Sequence, residues 1–299
     1  MSKFIKIKSI LVFLVVFIFL VSDVNALDEW WNASWHYRMK VEINSTDYER
    51  VDTPIEIVIN FTNELNALGI YDNFDSNSVR VVEYDSLGNV LYEIPSQFDP
   101  DSNYNASDNA VGEVVWIMNG TTPVGTMRYY YIYFDTEGKQ QENYPTNLTY
   151  SFNGEEIYVN NTKLEIRIDT NRAELTSGIY YAKRRDSNVV IFDRPSTERA
   201  VEYFQYYNGT NLGFDLRNNA SFTSGPVRLI VEQVGDEIIW NDPTQKTEGY
   251  IIKRYTFYAN SEWIKIEHIF KNNATYTCLL YTSDAADEGL GVDLGGRRI

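Results

Sequence analysis

The sequence predicts an all-β protein built as two modules, a small β-barrel or sandwich followed by a larger antiparallel β unit. Almost every segment after Trp31 alternates apolar and polar residues with period two, the pattern of half-buried strands. No long stretch carries the 3.6-residue period of an amphipathic helix. The connections are rich in Gly, Asn and Asp, which favour turns. A hydrophobic content of 43% and an aromatic content of 15% over 299 residues are enough to build cores, and exclude a disordered polymer.

The chain opens on a targeting pattern. Lys3, Lys6 and Lys8 precede an apolar run from Ile10 to Val21, and Val24-Asn25-Ala26 offers a small-residue cleavage site. The run is shorter than the roughly 20 residues that span a bilayer. Residues 1–26 are therefore expected to be a cleaved signal peptide, with a retained anchor as the competing reading. Export to the exterior, as a secreted or cell-surface protein, follows. Membrane contact is expected only through that signal or through an anchor further along the gene.

Strands are then predicted at 36–44, 54–61, 79–84, 90–94, 113–118 and 128–134. Asp85-Ser86-Leu87-Gly88-Asn89 is turn chemistry and predicts a hairpin, and Phe61 to Leu68 predicts one short helix. The polar stretch from Glu137 to Asn147 holds one proline and reads as a boundary. Beyond it strands are predicted at 155–159, 163–169, 178–184, 189–193, 200–207, 226–234, 250–259 and 263–270. The expected organisation is a first domain over 27–137, a linker over 138–147 and a second, incomplete domain over 148–277.

Charge excludes one class of partner. A net charge of −16 leaves no basic surface to displace counterions from phosphates, so nucleic acid is not expected as a partner. An acidic surface suits solubility, cation binding or a saline exterior, and does not choose among them. Glycosylation sequons stand at Asn32, Asn44, Asn60, Asn105, Asn119, Asn147, Asn160, Asn208, Asn219 and Asn273. Chance at this composition would place about four, so the excess fits an exported glycoprotein; Asn/Thr-rich turns that generate sequons without use are the plainer reading.

Residues 278–299 differ in kind, being rich in Ala, Gly and Asp and holding the only cysteine, Cys278. CLLYTSDAADE resembles one translated frame of a transposase sequencing adapter. Glu288 to Gly291 then fit a variable index, and Val292 to Ile299 fit a second constant arm. This resemblance implies a non-native tail, a natural sequence that continues past Thr277, and no role for Cys278 as thiol, disulfide partner or metal ligand.

Two further patterns resemble a known family. Trp35-His36-Tyr37-Arg38, the segment SVRVVEYDSLGNVLYEIPSQFD and the strand RYYYIYF resemble the opening domains of secreted W-x-Y-R proteins of unknown function. They also resemble the N-terminal RIFT-barrel domain of exo-rhamnogalacturonan-lyase-like proteins. SGPVRLIVEQVG and EGYIIKRYTFYANSEWIKIEHIFKN are similar to the central β-supersandwich of that group, so the likeness covers roughly residues 30–277. It implies a RIFT barrel followed by a β-supersandwich. It also implies that catalysis, where it occurs, belongs to a helical toroid C-terminal to these modules, and no such toroid is read here.

Candidate chemistry is sparse. Uronate β-elimination needs a base and a cation, which directs attention to His268, Glu267, Arg254 and Tyr255 as weak catalytic candidates. On the strand from Trp263 to Phe270, Trp263, Lys265 and Glu267 share one face, and His268 shares the other with Ile264, Ile266 and Phe270. The plain reading of His268 is a core-face histidine, and that of His36 an edge-strand surface residue. Arg254, Tyr255, Lys253 and Glu267 form a candidate sugar groove, against a solvated sheet face with cross-strand ion pairs. Trp30, Trp31, Trp35, Lys253, Trp263 and Lys265 complete the carbohydrate-binding candidates, the alternative being aromatics that pack the first strand. Asp99, Asp101, Asn103 and Asn105 alternate like the start of a calcium loop, but Tyr104 replaces the usual glycine and no Glu closes the loop. Calcium is the one cofactor considered, with a hydrophilic turn as the competing reading. No nucleophile elbow, phosphate loop or zinc motif occurs.

The sequence therefore favours a non-catalytic binding or structural module facing polysaccharide or cell-surface components. Accessory domains of a polysaccharide lyase or hydrolase are the alternative.

Overall fold

A computed structural model describes residues 28–170, 178–194, 206–207, 211–215, 220–239, 242–271 and 279–280. The signal-peptide stretch lies outside the described residues, as do most of the predicted strand at 200–207 and residues 281–299 of the tail. No helix among the described residues is long and apolar enough to cross a membrane.

The protein is all-β, and its strands pair antiparallel throughout the described residues. The first half holds β1 (Tyr37–Asn44), β2 (Arg50–Asn60), α1 (Phe61–Ala67), β3 (Arg80–Tyr84), β4 (Val90–Ile94), β5 (Ser96–Pro100), β6 (Val111–Thr122) and β7 (Met127–Phe134). These strands form a four-stranded sheet, β1-β7-β3-β4, and a three-stranded sheet, β2-β6-β5. Alternation dictates what fills the gap between them. Val81, Ile132 and Phe134 from the first sheet meet Ile59, Val114, Trp116 and Met118 from the second in one buried cluster. The short helix closes one end. Asn60 caps it by accepting from the Asn63 backbone N–H at 3.0 Å, and Phe61 and Leu65, four residues apart, are both buried. Phe61 stacks on Phe74 with ring centroids 4.2 Å apart. Seven residues are too few to hold a helix in water, so this packing stabilises it.

The second half holds β8 (Thr149–Phe152), β9 (Glu156–Asn160), β10 (Leu164–Asp169), β11 (Gly178–Arg184), β12 (Val190–Asp193), β13 (Tyr206–Tyr207), β14 (Asn211–Asp215), β15 (Ala220–Ser224), β16 (Arg228–Ile239), β17 (Asp242–Tyr258), β18 (Ile264–Lys271) and β19 (Leu279–Leu280). A five-stranded sheet, β12-β11-β10-β9-β8, covers a seven-stranded sheet, β18-β17-β16-β14-β13-β19, in which β15 also pairs with β16. Their shared core includes Ile157, Val159, Ile166 and Ile168 from one sheet and Leu229, Val231, Tyr255 and Phe257 from the other.

Prediction missed β5, β8, β14, β15 and β19. β5 follows Pro95 and ends on Pro100, prolines that masked its alternation, and β8 is a four-residue edge with every residue exposed. Leu279 and Leu280, within the tail of adapter-like sequence, pair with Tyr207 and Tyr206.

The stretch predicted as a linker has no regular secondary structure but is tied down along its length. The Lys139 N–H donates to Asp75 at 2.5 Å, Arg80 donates to the Gln140 carbonyl at 2.8 Å, and Tyr144 bonds Glu93. At its far end the Thr146 hydroxyl donates to the Pro226 carbonyl at 2.8 Å. The two sandwiches are thus joined by a fixed strap.

Candidate functional site

The site begins with one arginine. Arg228 opens β16 and is almost wholly buried, which disfavours its charge unless partners are supplied. Three carboxylates of the first sandwich supply them: Glu56 on β2 at 2.7 Å, Asp99 on β5 at 2.7 Å and Glu113 on β6 at 2.6 Å. Burial pushes the guanidinium pKa down, and Asp99 and Glu113 more than offset it, so the group stays charged. Gln97 adds a neutral clasp, its side-chain oxygen accepting from the N–H groups of Val227 at 3.2 Å and Arg228 at 3.0 Å. Glycine at 225 permits this approach, because a Cβ there would lie 2.3 Å from the Gln97 side chain. The Tyr258 hydroxyl donates to Glu56 at 2.5 Å, and burial with that bond raises its pKa. Behind these polar groups Val115, Ile117, Val227 and Tyr258 form a small apolar cluster across the joint.

A cleft of 750 Å³ lies beside this clamp, with walls from both sandwiches. Asp99, Asp101 and Ser102 stand on the first sandwich, and Glu232, Arg254, Lys265 and Glu267 on the second. Arg254 holds Glu232 at 2.8 Å and approaches Glu267 at 3.9 Å, while Lys265 lies 3.5 Å from Glu267. The cleft therefore presents charged donors and acceptors in fixed pairs rather than an apolar pocket.

Alternation sorts the residues singled out from sequence. Arg254, Lys265 and Glu267 line the cleft together. Tyr255 and Lys253 project from the opposite, core-facing side of β17, where both are buried, so the four-residue sugar groove expected from sequence is split between two faces. His268 lies beside Lys253 in cross-strand register, half-buried. Burial first, and the Lys253 charge second, push its pKa down to about 4. Gln233 pairs with Lys253 on the next strand, is fully buried, and its amide makes no hydrogen bond among the described residues. Trp263 is half-exposed at the entry to β18, its ring 5.0 Å from that of Tyr258.

The other candidates lie elsewhere. Trp31 and Trp35 pack on Tyr133 and Val82, and Trp35 donates to the Ser78 carbonyl at 2.6 Å, fastening the N-terminal segment to the first sheet. Trp30 is the most open of the three, and its ring carries the Arg38 guanidinium at 4.5 Å. His36 bonds the buried Asp135 at 2.9 Å. Of the calcium-loop candidates, Asp99 is committed to Arg228, Asp101 accepts from the Ser102 N–H, and the Asn103 carbonyl accepts from Asn109. Among the described residues no group of three or more His, Cys, Asp or Glu side chains is placed to hold a metal ion.

Arg228, Glu56, Glu113 and Gln97 are the residues that sequence reasoning missed. The partners lie 115 to 172 positions apart from the arginine, so no spacing signals them. The one available signal was a charged residue in the otherwise apolar run PVRLIV. Compared with known proteins, the chain matches no family model and no curated sequence.

Proposed function

We propose that this chain is an exported binding module whose cleft between the two sandwiches takes a hydroxyl-rich saccharide. The observation that carries the reading is the 750 Å³ cleft, whose charged side chains are already held by ion pairs across a clamped joint. Carboxylates accept from vicinal hydroxyls, and Arg254 and Lys265 donate to them. Side chains fixed beforehand lose little freedom on binding. Trp263, half-exposed at the entry to β18 and two residues before the cleft-lining Lys265, offers a ring on which a sugar stacks.

The basic-then-apolar leader and the sequons support an exported glycoprotein, and Asn44, Asn105, Asn119 and Asn147 are exposed to modification. The reading assigns binding rather than turnover to these residues. Glu267 and His268 project from opposite faces of one strand and do not converge on a single substrate atom.

Isothermal titration of neutral, amino and uronic oligosaccharides tests this. The best ligand should bind Arg254→Ala at least about tenfold more weakly, the loss of a charge-assisted hydrogen bond. An Arg254→Ala variant that binds as tightly as the wild type, or a wild type that binds no member of the panel, would overturn the reading.

A further inference from the structure

The charges that line the cleft do not cancel. Around Arg228 stand Glu56, Asp99 and Glu113, three carboxylates on one guanidinium at 2.6 to 2.7 Å. Glu56 and Glu113 keep 23% and 30% of their side chains open to solvent, so their charge reaches the cleft. On the second sandwich Arg254 and Lys265 are balanced by Glu232 and Glu267. Exposed Asp101 is left over. Its carboxylate accepts from the Ser102 N–H at 2.7 Å and the Ser102 hydroxyl at 3.3 Å, and no cationic side chain among the described residues pairs with it. Among the described lining residues, six carboxylates thus face three cationic groups, an excess of three negative charges. The chain as a whole, at −16, has the same sign.

Protein walls on both sides concentrate such a field within a cleft and raise the local concentration of ligands of opposite charge. A uronic oligosaccharide would carry further carboxylates into it, and like charges brought together oppose binding. On the reading that the cleft holds a saccharide, we infer that this saccharide is cationic, an oligomer of amino sugars. A 2-amino sugar carries its ammonium beside a ring hydroxyl. The Asp101 carboxylate, with two acceptor oxygens, takes a hydrogen bond from each, and the one from the ammonium is charge-assisted. Ser102, Ser221, Thr223 and Thr256 also line the cleft, and their hydroxyls exchange hydrogen bonds with the uncharged part of the sugar.

Titration calorimetry with glucosamine, N-acetylglucosamine, glucose and galacturonate oligomers of equal length tests this, in a mildly acidic buffer that keeps the sugar amines protonated. The glucosamine oligomer should bind at least about tenfold more tightly than its acetylated counterpart, which lacks the charge. Raising the salt to about 1 M should narrow that gap. Asp101→Asn keeps the shape of an exposed side chain and removes its charge. It should weaken the glucosamine oligomer at least about fivefold and the acetylated one less than about twofold. Acetylated or uronic oligomers that bind as tightly as the glucosamine oligomer would overturn the inference and leave the saccharide reading standing. Spermine, a polyamine without hydroxyls, binding as tightly would also overturn it, because the cleft would then select charge and not sugar. Binding of none of these oligomers would remove the saccharide reading and this inference together.

Discussion

His268 shows how one side chain reports on its sheet. It lies on the core-facing side of β18 next to the buried Lys253, and its own burial first, with that lysine's charge second, lowers its pKa from 6.5 to about 4. In the folded chain it therefore binds a proton more weakly than in the unfolded chain. Stability from this source is full above pH 6.5 and is lost as the pH falls towards 4. The loss is up to about 3 kcal/mol, at 1.4 kcal/mol per pKa unit. Urea denaturation of the wild type and His268→Asn across that range isolates it from the carboxylates. The variant should lose its stability deficit, or overtake the wild type, as the pH falls; parallel curves would show that His268 titrates normally. Its core-face position was legible in the sequence, because alternation set it with Ile264, Ile266 and Phe270. The lysine beside it was read as groove-lining, and only the strand register showed that it faces the core.

Between elements, the decisive contact is Arg228 of β16 against Glu56, Asp99 and Glu113 on β2, β5 and β6. Removing the buried arginine leaves three carboxylates of one sheet crowded together without a counter-charge. Arg228→Ala should therefore destabilise the protein by about 3 kcal/mol, towards the lower end for a buried ion pair because Glu56 and Glu113 reach solvent. Equilibrium urea denaturation measures it, and a loss below about 1 kcal/mol would mean that the apolar cluster and Gln97 hold the joint alone. The strands on both sides of this contact were largely readable from period-two alternation. β6 was predicted at 113–118 and spans Val111–Thr122; β17 was predicted at 250–259 and spans Asp242–Tyr258. The clamp itself was not readable, since alternation gives the face a residue occupies and not which sheet it meets across more than 100 positions.

At the scale of the molecule, two sandwiches, a pinned strap and an arginine clamp turn separate sheets into the two walls of one cleft. Period-two alternation anticipated an all-β chain of antiparallel sheets. It could not anticipate the cleft, which is lined by strands of both halves of the chain. The central claim is that the cleft binds saccharide. The most direct measurement is a crystal structure with the tightest-binding oligosaccharide from the titration panel. The account predicts a sugar between the sandwiches, its hydroxyls bonded to Asp101, Arg254 and Lys265. A sugar resting on Trp30 or elsewhere outside the cleft, with the cleft left to solvent, would contradict it.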